Sequence, residues 1–276
     1  RGLIYGIFYK IAKHFNNNPK TNGCSIYFEH PLSGTLSHEH YDAIVDYELF
    51  LRYYTHALKY VGVPYAYQTV GSSMAIRSDA YQKQGGMNKR KAGEDFYFLH
   101  KIITLGSFTE LNTTKVIPSP RQSDRVPFGT GKAVKEWMVT KALTTYNPKS
   151  FIALKQFIDR IDDLFKDNNK TDQNHFNDLD PSIVSFLTNN DFQKVIVEIN
   201  NKSNSVDTFK NHFFQWFNAF KVLKYLHYSR DHYYINVPVQ EAALWLLNNR
   251  SKTTTDSVLN SLNEFRLIDL KIESLA

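Results

Sequence analysis

Along the first half of the chain, apolar residues recur at spacings that change from segment to segment. Leu3, Ile4, Ile7, Phe8 and Ile11 fall three or four apart, which predicts a helix over roughly 2–15 with those residues on one side. After the turn-rich NNNPKTNG, the run CSIYFEH reads as a short strand. Ile44, Tyr47, Leu51, Tyr54 and Leu58 predict a helix from about 41 to 60. YAYQTVGSSMAIRS reads as a strand interrupted at Gly71, where the backbone either bulges or approaches another group closely. Ser78 is placed to cap a short helix ending at Gly85–Gly86. A further helix runs from near Gly93 to Gly106, and SFTEL and TKVIPS follow as two short strands. Helices alternating with strands at this spacing imply an α/β sheet domain.

Beyond about Lys132 the pattern becomes purely helical, with Asn-, Asp-, Ser-, Thr- and Lys-rich connections. Asn147–Pro148 and Asp180–Pro181 each pair a capping side chain with proline at the first helical position. Phe151, Leu154, Ile158, Ile161 and Phe165 form one stripe, Phe209, Phe213, Trp216, Phe220 and Leu223 a second, and Val258, Leu262 and Phe265 a third. No fixed period repeats, so the expectation is an irregular helical bundle whose aromatic stripes are core. The domains expected are 1–135, an α/β sheet domain, and 136–276, an α-helical domain.

The net charge of +6 favours an anionic partner, and its distribution narrows the choice. Lys89, Arg90 and Lys91 crowd Glu94 and Asp95, while Arg121, Arg125, Lys132 and Lys135 gather around the next loop. Charge massed at two loops suits a focused site better than an extended nucleic-acid stripe, and no zinc-finger, recognition-helix or aromatic RNA-binding pattern is present, so no nucleic-acid partner is expected. No apolar run is long enough to span a bilayer. The lone Cys24 has no internal disulfide partner, which favours a reducing, cytoplasmic compartment. It has no basic neighbour in sequence and is expected to be inert.

Two stretches carry candidate chemistry. GGMNKRKAGEDFYFLHKI places Glu94 and Asp95 at the start of a helix, where a carboxylate caps unpaired amides and stays ionised beside the positive end of the helix dipole. An ionised carboxylate there is a cap, a proton acceptor, or both. The loop PSPRQSDRVPFGTG is stiffened by three prolines and offers Arg121 and Arg125 as forked donors suited to a diphosphate. A rigid surface connection with incidental arginines is the plain alternative. His38-Glu39-His40 lacks the helical spacing of a metal motif and reads as a polar loop or helix start. Asp178-Leu179-Asp180, immediately before Pro181, reads as a helix N-terminus. His30, at a strand end, could face the site.

VGSSMAIRSDAYQKQGGMNKRKAGEDFYFLHKI resembles the second half of the catalytic domain of family-2 nucleotide-sugar glycosyltransferases, with Gly71, Ser72, Arg77, Gly85, Gly86, Glu94 and Asp95 in the family's order. VIPSPRQSDRVPFGTG resembles the basic loop that a bacterial subgroup carries after the sheet. The resemblance covers about 1–135 and implies the C-terminal part of a GT-A type, Rossmann-like domain, followed by a helical domain with no family match. It implies Asp95 as the base that deprotonates an acceptor hydroxyl, and Glu94 as a positioner of sugar hydroxyls. Gly71, Ser72 and Ser73 would line the donor-sugar pocket, with Arg121 and Arg125 at the pyrophosphate or an anionic acceptor. The expected partners are a nucleotide-sugar donor and a sugar or lipid-linked acceptor, with association at the inner face of the membrane. The family's N-terminal half ends in a D-x-D motif that binds a divalent metal, Mg or Mn. No such motif precedes Cys24, so the expectation is a fragment that binds no metal itself and is inactive without that half. The alternative from another class is a non-catalytic module that binds an acidic partner through Arg121, Arg125 and the 89–91 cluster.

Overall fold

The computed structural model describes residues 2–87, 93–122, 129–165, 178–251 and 257–271. In chain order the elements are α1 (Gly2–Asn17), β1 (Gly23–Phe28), α2 (His38–Val61), β2 (Met74–Ile76), α3 (Ser78–Lys83), α4 (Glu94–Ile103) and β3 (Phe108–Val116). They continue with α5 (Thr130–Thr140), β4 (Thr144–Thr145), α6 (Pro148–Ile158), a 3-10 turn at Ile161–Leu164, α7 (Pro181–Thr188), α8 (Phe192–Asn201) and α9 (Val206–Trp216). The last are α10 (Ala219–His232), β5 (Val237–Pro238), α11 (Val239–Ser251) and α12 (Val258–Lys271).

The fold is mixed α/β and mostly helical, and it divides into two units. The first comprises 1–55, 67–143 and 238–276; the second comprises 56–66 and 144–237. The chain thus enters the second unit twice, first through the end of α2. The stripe Val258–Leu262–Phe265, expected in the helical domain, belongs to the first unit instead.

In the first unit a three-stranded sheet runs β2-β1-β3, with β1 parallel to β3 and antiparallel to β2. Every residue of the central strand β1 is buried, Ser25 included, as expected of a strand covered on both faces. Ile11 and Phe15 of α1 pack on Cys24, Ile26 and Leu111, and Ile102 of α4 faces Gly23. Burial pushes the Cys24 thiol up to about 12, so it is an inert core residue. Phe8, grouped by spacing with Ile11, is instead 66% exposed: the packed side of α1 is rotated toward Phe15. The Arg77 side chain donates to the carbonyls of Phe15 and Thr21 at 2.7 Å and lies over the Phe15 ring, tying the end of α1 to the sheet edge. SFTEL and TKVIPS form one strand rather than two. Its register slips by three residues, from Ile26↔Leu111 to Phe28↔Val116, so β3 bulges.

The second unit is a helical assembly around an aromatic core. Phe151, Phe157, Phe209, Phe213, Phe217 and Tyr225 are all fully buried. Its caps are those expected: Asn147 accepts from the Lys149 amide at 3.0 Å, and Asp180 accepts from the Ser182 amide at 2.9 Å.

Candidate functional site

The site is assembled at the start of α4. Gly93 caps the helix in the left-handed conformation, φ 74°, which a side chain at that position would disfavour. Glu94 and Asp95 occupy the first turn, where the free amides and the helix dipole favour negative charge. The Phe96 amide donates to Asp95 Oδ1 at 2.7 Å. Asp95 is half-buried, neither packed into the interior nor extended into solvent.

Gly71 supplies the opposite wall. A Cβ added there would lie 2.9 Å from Asp95 Cβ and 3.1 Å from Cγ, and closer still to Oδ2. The gap in the strand pattern at Gly71 therefore marks a close approach, and glycine is required for space, not for an unusual backbone angle. The strand itself is shorter than expected: β2 spans only Met74–Ile76, and 64–73 run as loop and turn. That turn is joined to the sheet where the Ile26 amide donates to the Ser73 carbonyl at 2.8 Å, one step beyond the β1–β2 ladder.

The other sequence candidates fall around this pair as follows. Ser72 is exposed on the Gly71 turn, whereas Ser73 is buried with its Oγ unpartnered among the described residues. Glu94 is half-buried beside Asp95, and Arg121 is exposed on the segment after β3. Arg125 and the basic cluster at 89–91 lie outside the described residues. His38, Glu39 and His40 open α2; there Glu39 pairs with Lys141 at 2.6 Å and His40 Nδ1 with Ser37 Oγ at 2.8 Å. Asp178 pairs with Arg160, and Asp180 caps α7, as a helix N-terminus should.

Tyr47, expected in the apolar stripe of α2, packs against the core formed by Tyr41, Ala43, Ile44 and Val134. The Tyr47 hydroxyl is hydrogen-bonded to Thr130, at the start of α5. Burial raises the phenol's pKa, the Thr130 bond opposes the rise, and the charge of Asp95 adds a little to it.

Behind Tyr47 stands His30, two residues past β1, its ring T-shaped to Tyr47 at 6.4 Å. Glu48 accepts from the His30 backbone amide at 2.7 Å and pairs with Nδ1 at 3.0 Å. Burial would raise the Glu48 pKa. Hydrogen bonds from His30 and Arg266 and the charge of Arg52 outweigh it and hold the carboxylate well below the usual range. An ionised carboxylate only accepts, so Nδ1 carries the proton toward Glu48. The other ring nitrogen, Nε2, is buried and has no partner among the described residues. Arg52, itself buried, also reaches Asp269 and the Phe28 carbonyl. Arg266 bonds both Glu48 oxygens at 2.8 Å. These charges lock β1, α2 and α12 together.

Among the described residues no three of His, Cys, Asp and Glu converge as a metal-binding group. No described helix is long and apolar enough to cross a membrane. Compared with known proteins, the chain matches no family model, no curated protein and no solved structure.

Proposed function

We propose that the first unit belongs to a glycosyltransferase that moves a sugar from a nucleotide-sugar donor to an acceptor hydroxyl, with Asp95 as the base. The observation that carries this reading is the approach of the half-buried Asp95 carboxylate to Gly71, two residues of the motif that lie 24 positions apart in sequence. The contact supports the reading because it holds the carboxylate against the Gly71–Ser72–Ser73 turn, the segment that the resemblance gives to the donor sugar.

In the proposed step, Asp95 accepts the proton of the acceptor hydroxyl as that oxygen bonds to the anomeric carbon. The bond from that carbon to the diphosphate oxygen breaks, its electron pair leaves with the nucleoside diphosphate, and the configuration inverts. Glu94 binds sugar hydroxyls beside it, and the Gly71–Ser72–Ser73 turn borders the donor sugar. Arg121 and Arg125 meet the pyrophosphate or an anionic, lipid-linked acceptor at a membrane surface. A divalent Mg or Mn ion would neutralise the departing diphosphate when bound; no three metal-ligating side chains converge among the described residues.

Transfer is to be measured in this chain joined to a D-x-D donor-binding segment, which the resemblance implies is needed for turnover. Asp95→Asn should lower turnover ~10²–10⁴-fold while leaving the melting temperature nearly unchanged. Near-normal turnover in that variant removes Asp95 from the mechanism. Turnover by the 276-residue chain itself overturns the assignment of the donor half elsewhere.

A further inference from the structure

Tyr81 has no role in that scheme, yet it is held beside both carboxylates. Phe98 follows Glu94 by four positions and Asp95 by three, so its side chain lies next to both on the surface of α4. Viewed down the helix it falls between them, about 40° from Glu94 and about 60° from Asp95. The Tyr81 ring packs on Phe98 with centroids 5.1 Å apart. The Gly85–Gly86 turn pins the same ring from another side: a Cβ added to Gly86 would lie 3.1 Å from the ring and 3.2 Å from its hydroxyl. The Met87 amide donates to that hydroxyl at 3.2 Å, and the Gly86 amide donates to the Tyr81 carbonyl at 2.9 Å. Although so anchored, Tyr81 is 42% exposed. It stands as a fixed aromatic surface with little freedom left to lose when a ligand covers it. Glu94 supplies the polar counterpart. It is half-buried, and among the described residues it makes no hydrogen bond or ion pair.

We propose that Tyr81 is the floor of the acceptor subsite: a neutral pyranose packs its C–H face on the Tyr81 ring, donates one hydroxyl to Glu94 and presents the attacking hydroxyl to Asp95. This rests on the sugar-transfer reading of Asp95 and adds the class of the acceptor. The Gly71 turn, which Asp95 touches, is the donor side in that scheme, which leaves the Glu94–Tyr81 side to the acceptor. The chemistry selects the ligand. An aromatic ring takes the apolar face of a sugar, and carboxylates take the hydroxyl protons around its rim. A phosphate fits neither, since it has no apolar face and repels the carboxylates. The residue that receives the new bond is therefore an uncharged sugar, and any anionic part of the acceptor lies beyond it.

The test is an NMR titration of the isotope-labelled 276-residue chain with the methyl glycosides of D-glucose, D-galactose, N-acetyl-D-glucosamine and D-mannose in turn, and with inorganic phosphate. The Tyr81 ring and the Gly71, Glu94 and Asp95 amides are followed together. At least one glycoside should move the ring and both α4 amides, with nuclear Overhauser contacts from the ring protons to sugar C–H protons. Tyr81→Ala should weaken that glycoside's apparent Kd about tenfold, while Tyr81→Phe, which keeps the ring, stays within about threefold. If Tyr81→Ala does not fold, the ring contacts in the native chain together with Tyr81→Phe decide the matter. A glycoside that moves Gly71 and Asp95 but leaves the Tyr81 ring unmoved overturns the Tyr81 subsite alone. So does phosphate, if it moves the ring more than every glycoside. If no glycoside moves any of the four signals, both the subsite and the sugar-transfer reading fall.

Discussion

The two units bury different things. The core of the second is aromatic, with Phe157 in ring contact with Phe192, Phe213 and Phe217, and two pairs of its buried hydroxyls satisfy one another, Ser182 with Tyr225 and Ser150 with Ser229. The first unit buries Glu48, Arg52 and Asp269, with Arg266 at the edge. Desolvating such charges is expensive, and well-packed apolar groups would serve stability at least as well. What the charges add is direction. A carboxylate receiving two guanidinium groups and one imidazole admits few other arrangements, so His30 is held at a defined angle. The aromatic core can repack around a substitution; the charged one cannot.

Substituting each core in turn should expose that contrast most strongly. Glu48→Gln leaves the Arg52 and Arg266 guanidinium groups without their shared counter-charge, which should cost ~3–5 kcal/mol. Phe213→Leu in the second unit keeps most of the volume and should cost ~1.5 kcal/mol or less. Amide exchange separates the two: the first variant should lose protection in β1 and the second in α9, and equal losses would erase the distinction. Acid should act in the same direction. Because the folded-state pKa of Glu48 is depressed, its contribution is fully present above the unfolded value near 4.5 and drains away as pH falls below it. Protection of β1 should therefore fall below that pH in the native chain, and Glu48→Gln should flatten the decline.

A smaller effect is expected from Gly71→Ala, which sets one methyl against the Asp95 side chain. The overpacking should cost ~1–3 kcal/mol if Asp95 stays and less if it swings away. If Asp95 swings away, the Tyr47 phenol, raised mainly by burial and in smaller part by that charge, should titrate slightly lower. A variant with native stability and an unshifted Asp95 amide would show that Gly71 and Asp95 do not meet as described.

Local patterns recovered much of the fold. β1 announced itself as a short apolar run bounded by turn residues, and the caps at Asn147 and Asp180 followed from side chains that compete for helix amides. Phe8 misled because periodicity fixes which residues share a side, not which side is covered. Of the candidate site, the Gly71 close approach and the Asp95 position at a helix start were readable, being properties of single residues. Tyr47, read as part of an apolar stripe, does pack against the Tyr41–Ala43–Ile44–Val134 core. The charged lock was not readable, since its partners Arg52 and Asp269 stand 217 positions apart. Sequence reveals such a pairing only through the topology that folds α12 back onto the first unit, and the uniform helical spacing after Lys132 concealed that return.

The mildest break belongs to the second unit, at Asp180. Its carboxylate does two things: Oδ1 caps α7 through the Ser182 amide, and Oδ2 accepts from the Tyr234 hydroxyl at 2.6 Å. Asp180→Ala removes both and should cost ~1 kcal/mol, the usual worth of a cap on a helix that packing already supports. The phenol offers an independent readout. The Tyr234 pKa is pushed up to about 12, first by that hydrogen bond and then by burial, so in the variant it should fall back toward 10. Asp180→Asn separates the two roles, since asparagine caps almost as well but carries no charge. It should keep nearly all the stability while still lowering the phenol's pKa. If Asp180→Asn instead destabilises as much as Asp180→Ala, the cap is not what Asp180 contributes, and the second unit depends on a buried charge after all, as the first does.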